Sequence, residues 1–112
     1  MKKVILDTSF IMTCVRQKID FFEHLENEGI EIVIPEQTID ELMGLGQQTA
    51  LDIIEKNTYR LVKLPGKDAD NAIIKFSKEN PEAIVATLDV GLKKRVKNKK
   101  MIIRGRKKII TI

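Results

Sequence analysis

The sequence has little with which to build a disulfide framework, a zinc site or a membrane span. It contains one cysteine, Cys14, and one histidine, His24. A lone cysteine excludes an internal disulfide, and the two residues together fall short of a structural zinc set. No apolar run approaches the roughly 20 residues that cross a bilayer. Lys2 and Lys3 followed by Val4-Ile5-Leu6 begin like a signal peptide. Asp7 stops that run, however, and no small-residue cleavage site follows. A cytoplasmic protein is therefore expected, with no membrane partner.

Acid is missing from one part of the chain. Residues 90–112 contain ten lysines and arginines and no carboxylate. The first 89 residues hold the other ten bases and all 16 acids, a net charge of −6 against +10. A basic tail on an acidic body suits a polyanionic partner, with Lys93, Lys94, Arg95 and Lys97 as the first candidates for nucleic-acid contact. The same pattern also describes a lysine-rich solvated surface.

The 112 residues suit one domain, and 43% hydrophobic with 32% charged residues is a globular mixture. Lys3–Leu6 reads as a buried strand. Asp7-Thr8-Ser9 then forms a helix N-cap cluster, and a single helix is expected through Phe10, Ile11, Cys14, Val15, Ile19, Phe22 and Leu25, ended by Gly29. Further strands are expected at 32–34, 60–64, 83–87 and 101–103, with 109–112 adding an edge pairing. Helices are expected at 36–43, around Ala50-Ile53-Ile54, over Ala69-Ala72-Ile73-Phe76, and from Leu88 to Val96.

Alternation of strands and helices predicts an α/β fold, a three-layer α/β/α sandwich around a central parallel sheet. In the strand order 3-2-1-4-5, the first and fourth strands are neighbours and a switch-point crevice opens at their carboxyl ends. Asp7 follows the first strand and Asp89 the fourth. Glu41 lies on the helix after the second strand, and Asp70 in the first turn of the helix after the third. All four carboxylates fall at one edge of the sheet. A pair of carboxylates about 4 Å apart costs roughly 4 kcal/mol at an effective dielectric of about 20, so such a group calls for a cation or a shared proton. Oxygen-only ligands suit Mg²⁺ or Mn²⁺, and two such ions suit phosphodiester hydrolysis without a protein nucleophile.

Each acid also has a local reading. Asp7 and Asp89 stand where helix caps belong. Asp70 is a favourable charge in a first helical turn, with Asp68 the better cap. One of Asp40 and Glu41 is expected to face solvent. Ser9 and Thr87 are placed to hydrogen-bond the carboxylates, and Asn71 to face either a metal-bound water or solvent. Cys14 is expected in the core and His24 on the surface.

With these residues in place, the chain resembles the PIN-domain nucleases, over nearly its whole length. The resemblance rests on Val4-Ile5-Leu6-Asp7-Thr8-Ser9, Ile39-Asp40-Glu41-Leu42, Asp70-Asn71-Ala72-Ile73 and Ala86-Thr87-Leu88-Asp89. It implies that Asp7, Glu41, Asp70 and Asp89 are the acidic catalytic and metal positions and that Ser9 and Thr87 are the hydroxyl positions. It also implies an RNA substrate, a Mg²⁺ or Mn²⁺ cofactor and a tendency to dimerise. The likeness is strongest to short archaeal PIN proteins. Gly91–Lys97 and Ile103-Arg104-Gly105 look like branches related to ribosomal-RNA processing, which implies a ribosome-assembly partner. Those relatives often carry a second acid where this chain has Asn71. A toxin–antitoxin ribonuclease of the same fold, with an antitoxin partner, and a non-catalytic RNA-binding scaffold are the rival readings. A dehalogenase-type phosphatase would want Asp where Ser9 stands, and a receiver domain would want Asp where Leu64-Pro65-Gly66 stand.

Overall fold

Val4, Ile5 and Leu6 are fully buried in succession, so the strand that contains them has core on both faces and belongs at the centre of a covered sheet. The computed structural model, which describes residues 1–112, has strands β1 (Lys3–Leu6), β2 (Glu31–Pro35), β3 (Arg60–Val62), β4 (Ile84–Ala86), β5 (Lys100–Arg104) and β6 (Lys108–Thr111). Its helices are α1 (Thr8–Arg16), α2 (Phe21–Asn27), α3 (Glu36–Gly44), α4 (Gln48–Glu55), α5 (Ala69–Glu79) and α6 (Val90–Arg95). One sheet is ordered β3-β2-β1-β4-β5-β6. Its first five strands are parallel and β6 returns antiparallel to β5.

Side-chain alternation divides the core in two. Val4, Leu6, Ile32, Ile34, Ile84 and Ala86 face α1–α4, where they meet Phe10, Ile11, Phe22, Leu42 and Ile54. Ile5, Val33 and Val85 face α5 and α6, against Ile73, Phe76 and Leu92. No helix is long and apolar enough to cross a membrane.

The single helix expected from Phe10 to Leu25 is in fact two. α1 ends in a Schellman motif: Lys18 N–H donates to Val15 O (3.1 Å) and Ile19 N–H to Cys14 O (2.8 Å). Lys18 takes the left-handed position, φ 59°, which glycine usually fills. Asp20 then caps α2 by accepting from Glu23 N–H. The apolar spacing continues across the break because both helices cover the same core, so periodicity gave no sign of it.

Candidate active site

The sheet's carboxyl edge is built by residues that extend its ladder one step beyond the strands. Asp7 N–H donates to Ala86 O (2.9 Å) and Thr87 N–H to Met101 O (3.2 Å). Asp7 is thereby fixed at the β1 end, only 3% exposed. It occupies the N-cap position of α1, yet its side chain makes no capping hydrogen bond. Instead, Oδ2 accepts from Thr87 Oγ1 (2.7 Å) and Ser9 Oγ (2.9 Å). The two hydroxyls lie 3.2 Å apart. Each also accepts a backbone N–H from the β4–α6 connection, Leu88 N–H on Ser9 and Asp89 N–H on Thr87, both at 3.0 Å. This network aims Asp7 and welds the β1 and β4 ends together. Burial pushes the Asp7 carboxyl above its ordinary range; the hydroxyls of Thr87 and Ser9 oppose that rise, and the Glu41 charge adds to it.

Glu41 is held just as firmly, from another direction. Thr38 Oγ1 donates to Leu6 O (3.2 Å), which docks α3 on the end of β1, and Glu41 follows one turn later on the same helix face. Its Oε1 accepts from Thr8 Oγ1 and its Oε2 from Ala69 N–H, both at 2.8 Å. Glu41 thus ties α1, α3 and the start of α5 into one unit. Asp40, its neighbour, is the exposed member of the pair.

Asp68 is the cap of α5, accepting from Asn71 N–H at 2.9 Å. That leaves Asp70 in the first turn with no side-chain hydrogen bond among those of the site. Its carboxyl is pushed up to about 6, by burial first and then by the charges of Asp7, Asp89, Asp68 and Glu41. Asp89 caps α6, its Oδ1 accepting from Gly91 N–H (2.8 Å) and Leu92 N–H (3.3 Å). A side chain at Gly91 would press against that oxygen at 3.2 Å, so glycine there leaves room for the cap.

All four predicted acids therefore share one sheet edge, and three of them raise the carboxyl of Asp70. No lysine or arginine neutralises any of them: the ion pairs of the chain are Lys3–Glu82, His24–Glu28 and Arg60–Glu31, all elsewhere. In the arrangement described, no three His, Cys, Asp or Glu side chains converge at ligand distance on one point. Glu41 has both oxygens engaged, and Asp89 is turned to its cap. The chemistry of the donor set still fits a hard divalent cation. Several carboxylates repel one another without a counter-charge, one is rigidly aimed, and one, Asp70, has no bond to break before turning.

Of the remaining predicted residues, Ser9 and Thr87 join the Asp7 network, whereas the Asn71 side chain is exposed. Lys93, Lys94 and Arg95 lie in the last turn of α6, which starts at Asp89, and Lys97 follows, exposed. Cys14 is buried, its thiol pushed up to about 12 by burial. His24 pairs with Glu28 at 3.6 Å, away from the site. Sequence reasoning missed Thr8 and Thr38. The usable signal was a hydroxyl beside an acid at the end of a buried strand, and another three residues before Glu41.

Comparison with known proteins agrees with this geometry. Residues 4–108 match the family described as PIN like domain. The chain is 32% identical over 123 residues to ribonuclease VapC4 of Methanocaldococcus jannaschii, covering 96% of this chain and 94% of that protein. It is 34% identical over 101 residues to the rRNA-processing protein fcf1 of Schizosaccharomyces pombe, covering 84% of this chain and 53% of that longer protein. The solved structure of the PIN domain endonuclease Utp24 superposes with a TM-score of 0.86 at 29% identity, covering 97% of this chain and 90% of that one. A matching sheet order, an acid edge assembled from four separate elements, and alignment over almost the whole chain lead to one assignment: this protein belongs to the PIN like domain family.

Proposed function

We propose that residues 1–112 form a single-domain, cytoplasmic, metal-dependent endoribonuclease that hydrolyses RNA phosphodiester bonds at the acid edge. The observation that carries this reading is a buried, rigidly aimed Asp7 among carboxylates that no basic side chain neutralises. Asp7, Asp70 and Asp89 are the residues that would hold Mg²⁺ or Mn²⁺. A bound divalent ion supplies activation of water and stabilisation of the leaving oxygen.

The chain's own residues divide the remaining work. Ser9 and Thr87 fix the orientation of Asp7 and oppose the rise that burial imposes on its carboxyl. Glu41, with both oxygens engaged, holds the start of α5, the turn that carries Asp70. Lys93, Lys94, Arg95 and Lys97 offer a phosphate-binding surface within two turns of Asp89.

The likeness to fcf1, named for rRNA processing, supports a role in ribosomal-RNA maturation alongside assembly partners. A second reading, a toxin ribonuclease paired with an antitoxin, is supported by near full-length similarity to VapC4. The chemistry is the same in both.

Titration calorimetry with Mn²⁺ tests the site. Wild type should bind, and Asp7→Asn should weaken binding at least tenfold. Equal binding by the two proteins would overturn the site assignment.

A further inference from the structure

The β5–β6 hairpin runs past the rest of the sheet. β4 stops at Ala86, opposite Met101, while β5 continues to Arg104, an overshoot of about 10 Å at 3.3 Å per residue. At the far end, Arg104 stands directly opposite Lys108. Gly105, Arg106 and Lys107 make the turn between them, and all five residues are exposed. Like charges in register across an antiparallel pair weaken the pairing, and none of these cations has an acidic partner.

Backbone conformation adds a second, independent sign. Lys107 adopts φ 58°, and its N–H donates to Gln17 Oε1 at 3.3 Å. That bond pins the hairpin tip to the end of α1, where exposed Arg16 and Lys18 flank Gln17. Lys18 also sits in the left-handed region, at φ 59°. Lys18 and Lys107 are the only non-glycine residues of the chain with positive φ. Glycine or asparagine would serve the backbone better at both places. Positive charge is thus kept against strand pairing at one pair and against backbone preference at two residues, all in one patch.

We infer that the hairpin tip and the end of α1 form a second grip on the phosphate backbone of the RNA, distinct from α6. This rests on the reading of the protein as a ribonuclease. α1 and α6 pack on opposite faces of the sheet, and each begins at the acid edge, at Asp7 and Asp89. Gln17 lies about 15 Å from Asp7 along α1, at 1.5 Å per residue. A strand held by both surfaces passes the carboxylates between two separate phosphate contacts. The contact reads charge alone, so it adds affinity and register without sequence preference.

The test is fluorescence anisotropy with a labelled single-stranded RNA in chelator, at several salt concentrations, so that neither metal nor cleavage enters. The variant is Arg104→Gln, Arg106→Gln, Lys107→Asn and Lys108→Gln combined, all exposed positions. It should bind RNA at least tenfold more weakly at low salt. The slope of log affinity against log salt should be shallower by about 2, at roughly 0.7 per single-strand phosphate contact. It should melt no lower than wild type, because Asn tolerates the left-handed conformation. Lys93→Gln, Lys94→Gln and Lys97→Gln should lower the slope separately and additively. An unchanged slope in the hairpin variant, with wild type binding RNA, would overturn the second grip and leave the nuclease reading intact. Absence of salt-dependent RNA binding by wild type would overturn both.

Discussion

Replacing Asp70 by Asn removes one charge from the acid edge while keeping shape. The Asp70 carboxyl stands at about 6 against an ordinary 3.8, so the folded protein holds its proton more readily than the unfolded chain. Such a group favours folding below pH 4, where both states are protonated. That advantage is lost as pH rises from about 4 to 6, and the cost persists above. Taken at face value, two pH units correspond to nearly 3 kcal/mol. Asp70 is only partly buried, and screening by water and salt reduces this combined cost of burial and like-charge repulsion to about 1 kcal/mol. Asp70→Asn should therefore raise the melting temperature in chelator at pH 7.5 by about 4 °C for a chain of this length, and leave it unchanged near pH 4. Saturating Mn²⁺ should reverse the order, because wild type alone gains the binding free energy, about 2.7 kcal/mol at 100 times the dissociation constant. Differential scanning calorimetry at both pH values, with and without Mn²⁺, reads all of this. A variant that melts lower than wild type in chelator at pH 7.5 would refute the claim that burial and like charges together make the Asp70 carboxylate costly.

Glu41→Gln should act in the opposite sense. An amide cannot accept from both Thr8 Oγ1 and Ala69 N–H, so urea unfolding should show a loss of about 1–3 kcal/mol, the mark of a tie rather than a free ligand. Lys18→Gly should stabilise by up to about 1 kcal/mol, since it relieves a left-handed lysine in a Schellman motif; thermal melts check this. Gly66→Ala should destabilise by at least about 1 kcal/mol in the same assay. Gly66 holds φ 137°, and a side chain there would meet Ala72 N and Asn71 Cβ at 3.2 Å, close to the turn that carries Asp70.

Much of this arrangement is legible in the sequence because burial imposes simple patterns. Apolar runs ending in Asp7 and just before Thr87 placed two strands and their acids, and the switch point between them followed from alternation with helices. β6 was readable only as an edge pairing; its antiparallel register depends on the tight Gly105–Lys107 turn. The α1–α2 break was hidden because Lys18 occupies a position that normally announces itself as glycine. Capping assignments divided cleanly. Asp68 takes the cap of α5 and leaves Asp70 without a partner, whereas Asp89 caps α6 from its place at the acid edge. What no single-residue reading could give is the division of labour among the acids. That Glu41 is fully engaged by Thr8 and Ala69, while Asp70 is unpartnered, follows from contacts 33 and 28 residues apart in the chain.

RNA cleavage by wild type and by Asp7→Asn, in Mn²⁺ and in chelator, tests the central claim most directly. Asp7 is rigidly held, and Asn preserves its acceptor for Thr87 and Ser9, so circular dichroism should show a folded variant. Wild type should cut a single-stranded RNA in Mn²⁺ and not in chelator, and Asp7→Asn should lose at least a hundredfold in rate. Cleavage by folded Asp7→Asn at the wild-type rate, or wild-type cleavage undiminished by chelator, would contradict the account.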